Sequence, residues 1–181
     1  MLFMKEVTQK TNATQAGPLR SLAKNCISQH KFDEAYQALL KAEKLGSQKL
    51  ATQKMIFDVC LELGKKTEAE KYLNLISEEP GFDYDIRLAK WNDHEGDLDG
   101  AISLMEKALQ QAETNKNEAL ILWSTTNLAD FYGHAGRIQD SYNQYLKALA
   151  LDKNNSYALK GISWIAFSND KNIDEAVCCY K

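Results

Sequence analysis

LWSTTNLADFYGHAGRIQDSYNQYLKALALDKNN, residues Leu122 to Asn155, reads as two helices joined by a tight turn. Apolar and small side chains fall at Leu128, Ala129 and Tyr132, then at Ser141, Tyr145, Ala148 and Leu149. Spacings of three and four place each set on one face of its helix. His134-Ala135-Gly136-Arg137 makes the turn, and Asp152-Lys153-Asn154-Asn155 a polar exit. A helix pair this short cannot cover both apolar faces by itself, so it must stack on copies of itself.

The rest of the chain supplies the copies. Ala35, Ala69, Ala101, Ser141 and Ala176 hold one place in the second helix, separated by 34, 32, 40 and 35 residues. Gly64, Gly96 and Gly136 stand five residues upstream of theirs, with His30 and Lys171 there in the first and last copies. A small side chain lets the second helix approach the first. Glycine supplies the left-handed residue that ends a helix without a Cβ clash. The spacing of 40 puts a surplus between Leu109 and Trp123, expected as longer flanking helices with a displaced loop near Thr114-Asn115.

These positions resemble the tetratricopeptide repeat family. The fullest match carries Leu128-Ala129, Tyr132, Gly136, Ser141, Tyr145, Ala148-Leu149 and the exit Leu151-Asp152-Lys153-Asn154-Asn155. Leu22-Ala23 with Phe32 to Ala35, Leu63-Gly64 through Glu68-Ala69, and Leu88-Ala89 through Ala101 carry the others. The resemblance implies an all-α fold, a right-handed α-solenoid (superhelix) of stacked antiparallel helix pairs. About five repeats are expected, near 16–49, 50–81, 82–121, 122–155 and 156–181, the last truncated, behind a flexible lead-in at 1–15. Solenoids normally end on a capping helix, so the chain reads as a domain cut from a longer protein.

Local signals set the helix ends. Gly17-Pro18 is expected to open the first helix, with Leu19, Leu22, Ala23 and Cys26 as its apolar stripe. Met55, Ile56, Val59 and Cys60 should face Ala69, Leu73 and Ile76. Asp97 is the expected N-cap before Ala101. Ser168 to Asn172 reads as the turn of the last copy.

Composition narrows the function. The chain has 181 residues, is 44% hydrophobic and carries a formal charge of −3, without the basic stripe that a nucleic-acid scaffold shows. No apolar run reaches the ~18 residues of a membrane span. Met1 to Glu6 is too short and too soon charged for a secretory leader. Cys26 and Cys60 occupy inward core positions, and the adjacent Cys178-Cys179 diverge around a helix. The four thiols read as reduced, which leans toward the cytoplasm.

Catalytic chemistry is not expected. No phosphate-binding Gly loop, nucleophile elbow or H-E-x-x-H motif is present. His30, His94 and His134 have no second ligand at helical spacing, so no metal or cofactor is expected. Gly96-Asp97-Leu98-Asp99-Gly100 lacks the length and closing Glu of a calcium loop.

The family resemblance implies a binding scaffold whose first helices line a concave groove. Its second, fifth, ninth and twelfth positions here include Arg20, Lys24, Lys54, Asp58, Lys90, Asp93, Trp123, Thr126, Asp130, Tyr157, Lys160, Trp164 and Phe167. The N-terminal part is basic and the C-terminal part aromatic. That suits a protein or peptide partner with an acidic stretch and apolar anchors. The ninth positions (Lys24, Asp58, Lys90, Asp130, Trp164) hold no Asn, which argues against the carboxylate clamp of chaperone-binding relatives. Two alternatives are self-association through exposed terminal repeats and, more weakly, RNA binding, against which the acidic balance counts.

Overall fold

The turn that ends each first helix is the device the fold repeats. In a computed structural model that describes the backbone of residues 2–170 and the side chains of 15–168, every regular element among the described residues is an α-helix. They are α1 (Leu2–Ser28), α2 (Phe32–Lys44), α3 (Lys49–Glu62), α4 (Lys66–Ile76), α5 (Phe82–Glu95), α6 (Leu98–Thr114), α7 (Glu118–His134), α8 (Ile138–Leu151) and α9 (Ser156–Asp170). Gly64, Gly96 and Gly136 take left-handed φ of 64°, 85° and 72°. Behind each glycine the chain reaches back to the helix it has left. Lys65 N–H donates to Cys60 O at 2.9 Å, Asp97 N–H to Asn92 O at 2.8 Å, and Arg137 N–H to Tyr132 O at 2.8 Å. These bonds satisfy carbonyls that a helix end would otherwise strand. His30 adopts the same conformation at φ 57° without being glycine, and Lys31 N–H donates to Cys26 O at 2.8 Å.

The chain divides into two compact units, Met1–Arg87 and Leu88–Lys181, with the boundary inside α5. In the first unit α1 packs on α2, α2 on α3, and α3 on α4. Ala35, Leu39 and Ala42 of α2 are fully buried, as are Ile56, Phe57 and Cys60 of α3 and Ala69 and Ile76 of α4. The helix α2 also places Asp33 and Glu34 in its first turn and Lys41 and Lys44 in its last, matching the helix dipole at both ends. Tyr72 of α4 donates its hydroxyl to Glu43 of α2 at 2.8 Å. Burial holds the Cys60 thiol up at about 11, so it stays protonated as a small apolar group.

In the second unit α6 packs on α7, α7 on α8, and α8 on α9. Ala129, Tyr145, Ala148, Ala158, Ile162 and Ile165 form a core with Leu122, Ile138, Tyr142 and Leu149 around it. The anchors Ala101 and Ser141 are 0% and 1% exposed, so the seam of small residues holds although they are 40 residues apart. The surplus is taken up as expected. Both α6 and α7 run to 17 residues, joined through Lys116 at φ 52°. Asp97 caps α6 by accepting from Gly100 N–H at 3.1 Å. Asn117 caps α7 in the same way from Leu120 N–H.

Three local expectations need correction. Helix α1 runs through Pro18 rather than starting there. The missing proline N–H removes one bond, and the bonds on either side continue the helix. Leu22 is 52% exposed, because the buried line of α1 is Ala16, Ala23 and Cys26. One residue away, Leu22 is rotated by about 100° off that line. Helix α9 continues to Asp170, past the expected turn start at Ser168. The rest of that turn, the anchor Ala176 and the pair Cys178-Cys179 lie outside the described residues.

Candidate partner-binding face

In the first unit the candidate residues sit on α1 and α3, and the structure ties most of them to their neighbours. Arg20 donates from Nη1 to Ser47 O at 2.9 Å and from Nη2 to Gln48 Oε1 at 2.7 Å, fastening α1 to the connection before α3. Lys54 Nζ meets Asp83 Oδ2 at 2.7 Å, and Arg87 Nη2 meets Asp58 Oδ2 at 2.7 Å. Arg87 Nε also donates to Lys54 O at 3.3 Å. Lys24 is exposed. Among the described residues, of the cations read as basic, Arg20, Lys24 and Lys54, only Lys54 is paired with a carboxylate, Asp83, while Asp58 pairs with Arg87. Lys54 holds the Asp83 carboxyl below the usual carboxylate range, mainly through their hydrogen bond. Sequence reasoning missed Asp83 and Arg87. The signal was available, because each side-chain link spans 29 residues, near one repeat length.

In the second unit the candidates come from the end of α5, from α7 and from α9. Lys90 Nζ lies 5.4 Å from the centroid of the Trp123 ring, within range of cation–π attraction. Thr126 is buried, and its Oγ1 donates to Trp123 O at 2.9 Å, so it faces its own helix and not a groove. A short polar side chain bonds back one turn readily, which the repeat register does not encode.

Asp130 accepts the hydroxyl of Tyr145. Burial raises the Asp130 pKa, and the Tyr145 bond opposes that rise. Asp93 faces His134 of α7 at 2.8 Å, a pairing across 41 residues with no helical-spacing signature. On α9, Tyr157, Trp164 and Phe167 are 71%, 59% and 56% exposed. With Lys160, also exposed, they follow one stripe of the helix, opposite the buried Ala158, Ile162 and Ile165.

The chemistry on offer is apolar and aromatic contact beside partly compensated charge. Among the described residues no group of three or more His, Cys, Asp or Glu could hold a metal ion. No described helix is long and apolar enough to cross a membrane.

No family model matches the sequence, and no curated protein matches it. Solved structures do. The chain is similar to NprR, solved in complex with its cognate peptide NprX, at 19% identity and a TM-score of 0.75; the match covers 97% of this chain and 56% of that one. It thus spans a little over half the length of NprR. A thermophilic TPR protein of Thermus thermophilus, TTC0263, matches at 17% identity and a TM-score of 0.72, over 91% of this chain and 88% of that one. A chain of the APC/C hetero-tetramer Cut9-Hcn1 matches at 15% identity and a TM-score of 0.70, over 91% of this chain and 33% of that one. At 15–19% identity these likenesses establish the architecture, a TPR-like all-α repeat fold of stacked helix pairs.

Proposed function

We propose that the chain is a non-catalytic scaffold that binds a peptide or protein segment along the first-helix faces of its pairs, over one repeat domain at 16–181 behind a lead-in at 1–15. The observation that carries this reading is the stripe of Tyr157, Trp164 and Phe167, large aromatics left in water on one side of α9. Aromatic side chains are rigid, bury much area and dominate interface energetics, so a row of them exposed along one helix fits a contact surface. The likeness to NprR, whose solved complex holds a peptide, supports the same reading. Lys54 is engaged by Asp83, and Arg20 by Ser47 and Gln48, which narrows the basic surface left for an acidic stretch and gives the apolar anchors on α9 more of the binding.

Random-peptide display on the immobilised chain tests this. Selected peptides are titrated against the wild type, Trp164→Ala/Phe167→Ala and a control at the exposed Lys147→Ala. The expected result is a loss of about tenfold or more in affinity for the double variant, as for hot-spot residues, with an unchanged far-UV spectrum. Peptides that bind all three proteins equally would remove α9 from the site. Light scattering of the chain alone at rising concentration checks whether the stripe instead meets a second copy.

A further inference from the structure

The pairing of His134 with Asp93 has a geometry of its own. Nδ1 of the imidazole lies 2.8 Å from Oδ1 and 3.0 Å from Oδ2 of Asp93, so both carboxylate oxygens converge on one nitrogen. The Asp93 side chain is 17% exposed and the His134 side chain 59%, so the acid is set into the fold while the base stays open to solvent protons. His134 is the last residue of α7, the helix end at which a positive charge is favoured.

Few groups act on the imidazole. Asp93 does so from α5 and Asp130 from one turn back on α7. Asp130 is itself met by the Tyr145 hydroxyl of α8 and influenced by Lys160 of α9. Arg137, just beyond the turn, is directed to Asp140 at 2.7 Å and to the Tyr132 ring.

We propose that His134 and Asp93 form a proton-operated clasp that fastens the C-terminal end of α5 to the end of α7 while the imidazole is charged. The clasp loosens when the imidazole becomes neutral. A neutral imidazole can still donate one hydrogen bond, but without the charge that draws in both oxygens. The Asp93 hydrogen bond raises the His134 pKa, with partial burial opposing it. A raised histidine pKa means the stabilisation is complete below the ordinary histidine range and fades as pH rises through the folded value. Asp130, raised by burial, shifts the balance in the same sense at lower pH. The clasp is a property of the folded chain alone and does not depend on any partner.

The experiment follows the His134 imidazole by NMR in the whole chain and measures Tm from about pH 5.5 to 8.5, the range that brackets histidine. Wild type, Asp93→Asn, His134→Gln and a control, His94→Gln, are compared. The clasp requires His134 to titrate at a lower pH in Asp93→Asn than in the wild type. It also requires Tm to fall with rising pH by about 1–3 °C more in wild type and His94→Gln than in the two clasp variants, the size of an exposed charge pair. The comparison uses the slope against pH, so a uniformly lower Tm in a variant does not obscure it. Coincident His134 titrations, or equal slopes in all four proteins, would overturn the proposal.

Discussion

A methyl group added to Gly161 would stand 2.2 Å from Cζ of Tyr145, 2.4 Å from Cε2 and 2.7 Å from Cε1. Carbon atoms rest about 3.5–4.0 Å apart, so the ring would have to move by more than about 1 Å. An aromatic tip can often swing aside. Tyr145 cannot do so freely, because it is 5% exposed, lies among Ala129, Ala158, Ile162 and Ile165, and bonds Asp130 through its hydroxyl. Overpacking of this kind costs about 1–3 kcal/mol. Pulling the hydroxyl away leaves the Asp130 carboxylate under-bonded, at about 1–3 kcal/mol more. The helix propensity of alanine over glycine returns about 1 kcal/mol. Gly161→Ala should therefore destabilise by about 3 kcal/mol, the centre of a range of about 1–5, a drop in Tm of about 6–12 °C for a chain of this size. Thermal unfolding by far-UV circular dichroism reads it. In a Tyr145→Ala background the same change meets no ring and should be neutral or stabilising by about 1 kcal/mol. A Gly161→Ala protein as stable as the wild type would refute the packing argument, and so would an equal loss in both backgrounds.

The turn position gives an opposed pair of tests. A Cβ at Gly136 would meet nothing within 4 Å, so Gly136→Ala should lose only the cost of a left-handed backbone, about 1–2 kcal/mol in denaturant melts. His30→Gly should relieve that strain but lose the edge contact between the His30 and Phe32 rings at 5.8 Å and stiffness in the unfolded chain, so the net change should stay within about 1 kcal/mol of zero. Asp83 has a pKa lowered by Lys54, so its contribution is present above the ordinary carboxylate range and is lost as pH falls through the lowered value. With the carboxylate 62% exposed, the effect is at most about 1 kcal/mol. Asp83→Asn and wild type should differ at neutral pH and converge in acid unfolding curves.

The repeat was legible because its signal is local. Small residues at one register position, a left-handed turn four or five residues earlier, and apolar spacings of three and four are each visible in a short window. Ala35, Ala69, Ala101 and Ser141 are all buried as that pattern requires. The site was less legible because its pairings are not local. Lys54 looks like a surface cation until Asp83, 29 residues away, is beside it. His134 looks like a turn residue until Asp93, 41 residues earlier, is beside it. Thr126 sits at a groove register but bonds its own backbone. Gly161 carried a clue that could have been used. An isolated glycine inside a helical pattern needs a packing reason, and Tyr145 is that reason.

The 17-residue helices on either side of Lys116 imply that such a chain keeps count by its seam rather than by its length. The extra turn went to a hairpin tip, where residues 113–119 are all exposed, and left Ala101 and Ser141 seated. Insertions can gather there while the contacts that hold neighbouring helices stay in phase. A ruler of fixed period laid along the sequence will therefore slip at Asn115-Lys116-Asn117. For the same reason, that tip is the natural place to graft a label or an affinity handle.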